Sequence, residues 1–164
     1  MEANPGGAPC NVLAMLQKLG KKTAFIGKVG NDMFGNQLKK AVEEVGIDTR
    51  NLIMDHKHHT TLAFVHTYPD GDRDFSFYRD PGADMMLTKE EVQKELIEDS
   101  RIFHFGTLSS THEGVREATR HAIELAKEAG CIITFDPNLR PSSVEFSGRC
   151  TQRDRIRNGE NAMY

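Results

Sequence analysis

The chain has 164 residues, of which 38% are hydrophobic and 27% charged, with a formal net charge of −3 at pH 7. A chain of this length can bury a real core, its composition is that of an ordinary globular protein, and a near-neutral charge gives no footprint for nucleic acid or an anionic membrane surface. Cys10, Cys131 and Cys150 are odd in number and widely spaced, which speaks against a disulfide framework or a zinc site and fits a reducing cytoplasm. No run approaches the ~20 apolar residues that a spanning helix needs. The first residues lack a charged segment followed by an apolar stretch, so the expected location is cytoplasmic.

A Gly/Pro turn leads into a helix predicted over 11–19, where Val12, Leu13, Met15, Leu16 and Leu19 form an apolar stripe at helical spacing before Gly20. A short strand over 23–26 ends in Gly27, and a second helix over 34–45 stops at Gly46. The middle changes character. Strands are predicted at 52–54, 61–67 and 74–78, the last two joined by a turn around Pro69-Asp70-Gly71. A helix returns at 89–97, then a strand at 101–105, a long helix at 113–129 closed by Gly130, and a strand at 131–135. Strands alternating with helices of ten or more residues imply a parallel sheet with crossover helices. The hairpin interrupts that rhythm, so the predicted fold class is α/β with a small antiparallel β lid over about 52–79. From Ser142 to Tyr164 neither a helical nor a strand period is visible, as expected of a solvated tail.

Three segments carry chemistry. Gly6-Gly7-Ala8-Pro9-Cys10-Asn11 opens the first helix; its glycines permit close approach to the backbone, and Asn11 offers a donor and an acceptor to a polyol. The plainer reading of the same residues is a helix cap. Gly27-Lys28-Val29-Gly30-Asn31-Asp32 reads as a loop at the carboxyl end of a parallel strand, where ligands bind in open α/β sheets, or simply as a turn capped by Asp32 or Asn31. His56, His58 and His59 flank Lys57; strand alternation and the lysine charge favour a solvated edge over a metal cluster. His104, in an apolar strand, reads as a hydrogen-bonded core histidine.

Taken together and in order, the first two segments, Phe75-Ser76-Phe77-Tyr78-Arg79 with Pro81-Gly82-Ala83-Asp84, and Phe135-Asp136-Pro137-Asn138-Leu139-Arg140-Pro141 resemble the PfkB sugar kinases. The match runs from about Gly6 to Pro141, and D-P-N-L-R-P is similar to bacterial and plant fructokinases. The resemblance implies a ribokinase-like three-layer parallel sheet, here partial over 1–141, with ATP and Mg as the cofactors of an intact member. It implies sugar contacts from Gly6, Gly7, Asn11, Phe77, Arg79, Asp136 and Asn138, and stabilisation of phosphoryl charge by Arg140. Strand alternation puts Phe77 and Arg79 on one face and Tyr78 on the other. Leu13 departs from the small residue usual in the family.

The family's G-A-G-D motif, which supplies the general base and anion hole, does not occur in the sequence, and neither does its N-x-x-E motif. The expectation is therefore an inactive fragment lacking the first strands and the C-terminal half. Other expectations are fructose as the small-molecule partner, no nucleic acid, no membrane, and a homodimer through the lid. The alternatives are a non-catalytic sugar-binding or regulatory module, and a ribokinase- or nucleoside-kinase-like specificity. Residues 142–164 are expected to be a non-family tail, disordered or produced by a frameshift. One permitted set of codons for Ser143 to Cys150, read from its second nucleotide, gives Leu-Trp-Ser-Ser-Leu-Asp-Asp-Ala, the continuation expected of a fructokinase.

Overall fold

A computed structural model describes residues 3–137; Asn138, Arg140 and the tail lie outside the described residues. Helix α1 (Ala8–Lys18) leads to strand β1 (Ala24–Gly30), helix α2 (Met33–Glu44) and strand β2 (Asp48–Asp55). The hairpin β3 (Leu62–Thr67) and β4 (Arg73–Tyr78) follows. Helix α3 (Lys94–Glu98), strand β5 (Ile102–Gly106), helix α4 (Glu113–Glu128) and strand β6 (Ile132–Asp136) complete the order, with 3-10 turns at Ala83–Met86, Lys89–Glu91 and Thr107–Ser110.

The strands form three two-stranded sheets. β1 pairs with β2 and β5 with β6 in parallel, with α2 and α4 as the respective connections. A parallel pair requires such a crossover, because its second strand must return to the same end. β3 and β4 pair antiparallel and form a sheet of their own, as a lid requires. Gly71, at φ +89, closes their turn, with its N–H donating to the Tyr68 carbonyl at 3.0 Å.

Three boundaries differ from the sequence reading. The predicted loop 27–32 is mostly strand: Gly27, Lys28, Val29 and Gly30 sit opposite Leu52, Ile53, Met54 and Asp55. Pairing with β2 overrides the weak strand preference of the two glycines. For the same reason β2 belongs with β1, and the lid begins at Leu62 rather than at about 52. The helix predicted over 89–97 is broken into the turn at Lys89–Glu91 and α3. Asn51 explains the break: its Nδ2 donates to the Glu91 carbonyl at 2.7 Å and its Oδ1 accepts from the Gln93 N–H at 2.8 Å, so these backbone groups bond across to β2.

The core lies on one side of α4. Val115, Ala118, Ala122, Leu125 and Ala126 are buried together with Leu87, Val92 and Ile97, and Ile26, Ile53, Phe103 and Ile133 pack against them. The recurrence at three and four residues is what an amphipathic helix presents to a sheet. In contrast, α1 has no buried residue, and Val12, Met15 and Leu19 are exposed.

Asn51 is wholly buried. Replacing it by Ala leaves the part-buried Glu91 carbonyl and Gln93 N–H without these partners, at ~1–3 kcal/mol for each group left unsatisfied. Asn51→Ala is therefore expected to lower unfolding free energy by about 2–4 kcal/mol in urea titrations; a loss below about 0.5 kcal/mol would contradict the role of the side chain in this core.

Candidate functional site

Asp32 sits where β1 passes into α2. Its Oδ1 accepts from the Gly35 N–H at 2.8 Å, making it the N-cap anticipated for this turn. The same carboxylate reaches forward in the chain, accepting from the Thr60 N–H and the Thr60 hydroxyl, each at 2.8 Å. Burial pushes the Asp32 carboxyl upward, but the bonds from Thr60 and Gly35 outweigh it and hold the group below the usual carboxylate range. The Thr60 hydroxyl also accepts from Gly30 N–H at 3.0 Å, so the end of β1 and the approach to the lid are joined.

A second polar cluster lies alongside. Lys28 Nζ is 2.7 Å from Glu91 Oε1 and 3.6 Å from Asp55 Oδ2, and donates to the Met86 carbonyl at 3.1 Å. Asp55 also accepts from the Lys57 N–H at 2.7 Å and lies 3.2 Å from His58 Nδ1. Each histidine of the 56–59 segment meets a polar partner: His56 meets Asn31 at 3.0 Å, His58 meets Asp55, and His59 Nδ1 is 3.7 Å from Asp32. Among the described residues no group of three or more His, Cys, Asp or Glu could hold a metal ion. His104 bonds the Thr134 hydroxyl at 2.9 Å.

The glycine segment forms the start of α1. Gly7 adopts φ +129, a conformation that L side chains rarely enter, and Pro9 occupies the first turn. Gly6, Gly7 and Asn11 are exposed. The Asn11 N–H donates to the Gly7 carbonyl at 3.0 Å, which begins the helix.

On the lid, Phe75, Phe77 and Arg79 are half-buried while Asp74, Ser76 and Tyr78 are exposed, the alternation expected of this strand. Phe75 and Phe77 stack with centroids 6.2 Å apart, and Tyr78 meets Phe64 edge-on at 5.3 Å. Arg79 turns to protein partners: Nε donates to Asp84 at 2.8 Å, Nη2 pairs with the same carboxylate, and Nη1 donates to the Thr111 hydroxyl at 2.9 Å. Asp136 ends β6 opposite Gly106, and the Thr107 hydroxyl donates to its carbonyl at 3.3 Å. Arg79 and Asp136 thus both bond to the segment that follows β5, whereas no hydrogen bond among the described residues links Gly6, Gly7 or Asn11 to either.

Sequence reasoning missed Lys28, Asp55, Thr60, Thr61, Asp84 and Thr111. The available signals were Lys28 within Gly27-Lys28-Val29-Gly30-Asn31-Asp32 and Asp84 within Pro81-Gly82-Ala83-Asp84; the threonines carry none.

A family model described as pfkB family carbohydrate kinase matches residues 1–158, running past the Pro141 at which the recognised motifs end. Fructokinase-1 of Zea mays is 46% identical over 136 residues, which are 83% of this chain and 42% of that protein. A fructokinase of Solanum tuberosum is 45% identical, with 83% of this chain and 43% of that protein covered. The crystal structure of a fructokinase with bound ATP from Xylella fastidiosa superposes with a TM-score of 0.81 at 38% identity, covering 88% of this chain and 44% of that one. The chain spans less than half the length of these relatives.

Asp55 yields a pH prediction. Burial raises it, but the Lys57 N–H, His58 and the charge of Lys28 outweigh burial and hold it down at about 2, against an ordinary 3.8. A carboxyl depressed by folding contributes stability that is present above its unfolded pKa and lost as pH falls through the folded value. Stability should therefore decline between about pH 4 and pH 2, and Asp55→Asn should remove on the order of 2 kcal/mol of that dependence. Urea titrations across this range check it; an unchanged slope in the variant would count against the cluster.

Proposed function

The chain belongs to the pfkB family of carbohydrate kinases, and from that premise we propose that it carries the sugar-binding side of a fructokinase-type, ATP-dependent phosphotransferase. The observation that carries this reading is a convergence at one end of the fold. The lid strand bearing Phe77 leads directly into Arg79, whose guanidinium bonds the segment after β5, beside Asp136 at the carboxyl end of β6. Ligands of open parallel sheets bind at that end. Support for fructose as the sugar comes from the similarity to fructokinases and from the Asp136-Pro137-Asn138-Leu139-Arg140-Pro141 element.

On this reading Phe77 covers an apolar face of the sugar, while Gly6, Gly7 and Asn11 offer backbone and amide hydrogen bonds to its hydroxyls. Asp136 binds from the end of β6, joined by Asn138 of the same motif, and Arg140 stabilises charge on the transferred phosphoryl group. ATP and Mg would be the cofactors. Among the described residues no group of three or more His, Cys, Asp or Glu could hold a metal ion. No helix of the described residues is long and apolar enough to cross a membrane. The lid also supports self-association, because its two-stranded sheet leaves outer edges unpaired and exposes Phe64, Val65 and Tyr78.

Titration calorimetry and a coupled phosphorylation assay test the reading. The chain alone is expected to bind fructose more tightly than ribose and to show no ATP-dependent turnover above background. Asn11→Ala should raise the fructose Kd by about tenfold, the value of one good hydrogen bond. In a protein completed with the remaining length of a relative, Arg140→Ala should lower kcat by about 10²–10³ with little change in KM. Binding of fructose without turnover even in the completed protein would favour a non-catalytic sugar-binding module. In sedimentation velocity, Val65→Lys should shift the chain from dimer to monomer.

A further inference from the structure

We propose that Arg79 and Asp84 are positioning residues that fix the base of the lid to the segment following β5, and that Gly82 is the residue that lets them meet. The sugar-kinase reading enters only in what the lid covers. Two connectors join the hairpin to the rest of the chain, 56–61 on the way in and 79–84 on the way out. They meet through the Ala83 N–H, which donates to the His59 carbonyl at 2.9 Å, and through the Thr61 hydroxyl, which donates to Asp84 Oδ1. The other oxygen of Asp84 receives Arg79 through Nε and Nη2. One carboxylate therefore accepts from both connectors.

Arg79 carries the link to a third segment. Its Nη1 donates to the Thr111 hydroxyl and its Nη2 approaches the Leu108 carbonyl at 3.4 Å, while the side chain is only 10% exposed. A guanidinium presents its donors in a rigid planar fork, so these partners fix its orientation. The edge formed by Nε and Nη2 is occupied by Asp84, and on the edge formed by Nη1 and Nη2 the donors meet Thr111 and Leu108, so neither edge is open for bidentate binding of a ligand. The role that fits is to hold the lid, and with it Phe77 two residues earlier.

Gly82 has an ordinary φ of −82, so glycine is not needed there for backbone conformation. A Cβ at this position would fall on the Thr61 hydroxyl, 2.7 Å from Asp84 Oδ1 and 3.1 Å from Arg79 Cγ. Glycine is needed because the two connectors touch. An isolated two-stranded hairpin is marginal in water, so its pose must be set from its base.

Hydrogen exchange read by mass spectrometry on the full 164-residue chain tests the proposal without sugar or nucleotide. In Arg79→Gln, Asp84→Asn and Gly82→Ala the amides of β3, β4, Thr60 and Ala83 should exchange at least about tenfold faster, while those of α4 stay within about twofold. The Arg79→Gln/Asp84→Asn double variant should speed exchange by less than the product of the two single effects, since both break the Arg79–Asp84 link while each also loses bonds of its own. Arg79→Lys keeps a charge on Asp84 but cannot span to Thr111, so it should restore the lid amides in part and leave 107–111 fast. If a variant loosens α4 as well, Thr61→Val decides, because it removes a single hydroxyl at nearly constant shape and should still speed the lid. Unchanged lid exchange in Thr61→Val, or multiplying effects in the double variant, would overturn the proposal. Absence of fructose binding by the unaltered chain would count against the kinase reading and leave the exchange result standing.

Discussion

Three hydrogen bonds converge on the carboxylate of Asp32, from the Gly35 N–H and from both the N–H and the hydroxyl of Thr60. The first sets where α2 begins. The other two set where the chain leaves β2 for the lid, because Thr60 is held at once by Asp32 and by the end of β1. Shortening this side chain would leave a helix start uncapped and a buried threonine without this acceptor. Ordinary caps stabilise by about 1 kcal/mol; this one also holds the junction from which both lid connectors are arranged.

Much of the fold was legible because α/β architecture writes two different periods into the sequence. The stripe of α4 and the short apolar runs of β5 and β6 were placed within a residue or two, and the alternation of Phe75, Phe77 and Arg79 against Ser76 and Tyr78 follows from strand geometry alone. What escaped was set by partners distant in sequence. Asn51 breaks a helix that the local pattern of 89–97 favours, and β2 draws the glycines of 27–30 into a strand. Neither effect has a local signature.

The candidate site divides in the same way. Gly7, Phe77, Arg79 and Asp136 belong to ordered motifs and could be named from the sequence, yet a motif does not say whom a side chain faces. Arg79 is the clearest case. Read along the strand it points with Phe77, and in three dimensions its donors are taken up by Asp84, Thr111 and Leu108. Thr61 and Thr111 were invisible in advance, because a threonine hydroxyl signals nothing until its neighbour is known.

The pairing pattern described for the three sheets bears on how the chain acquires its structure during synthesis. β1 meets β2, β3 meets β4 and β5 meets β6, so each ladder joins strands consecutive in the chain. The loops that must close run from about 5 residues in the hairpin to about 25 between β5 and β6, a modest entropic cost that rises only slowly with length. The partners within each unit therefore become available in the order in which they are translated, while the hairpin stays marginal until its base is anchored. The Asp32–Thr60 bonds would then be in place before the segment after β5, which anchors the far side of the lid, has been made.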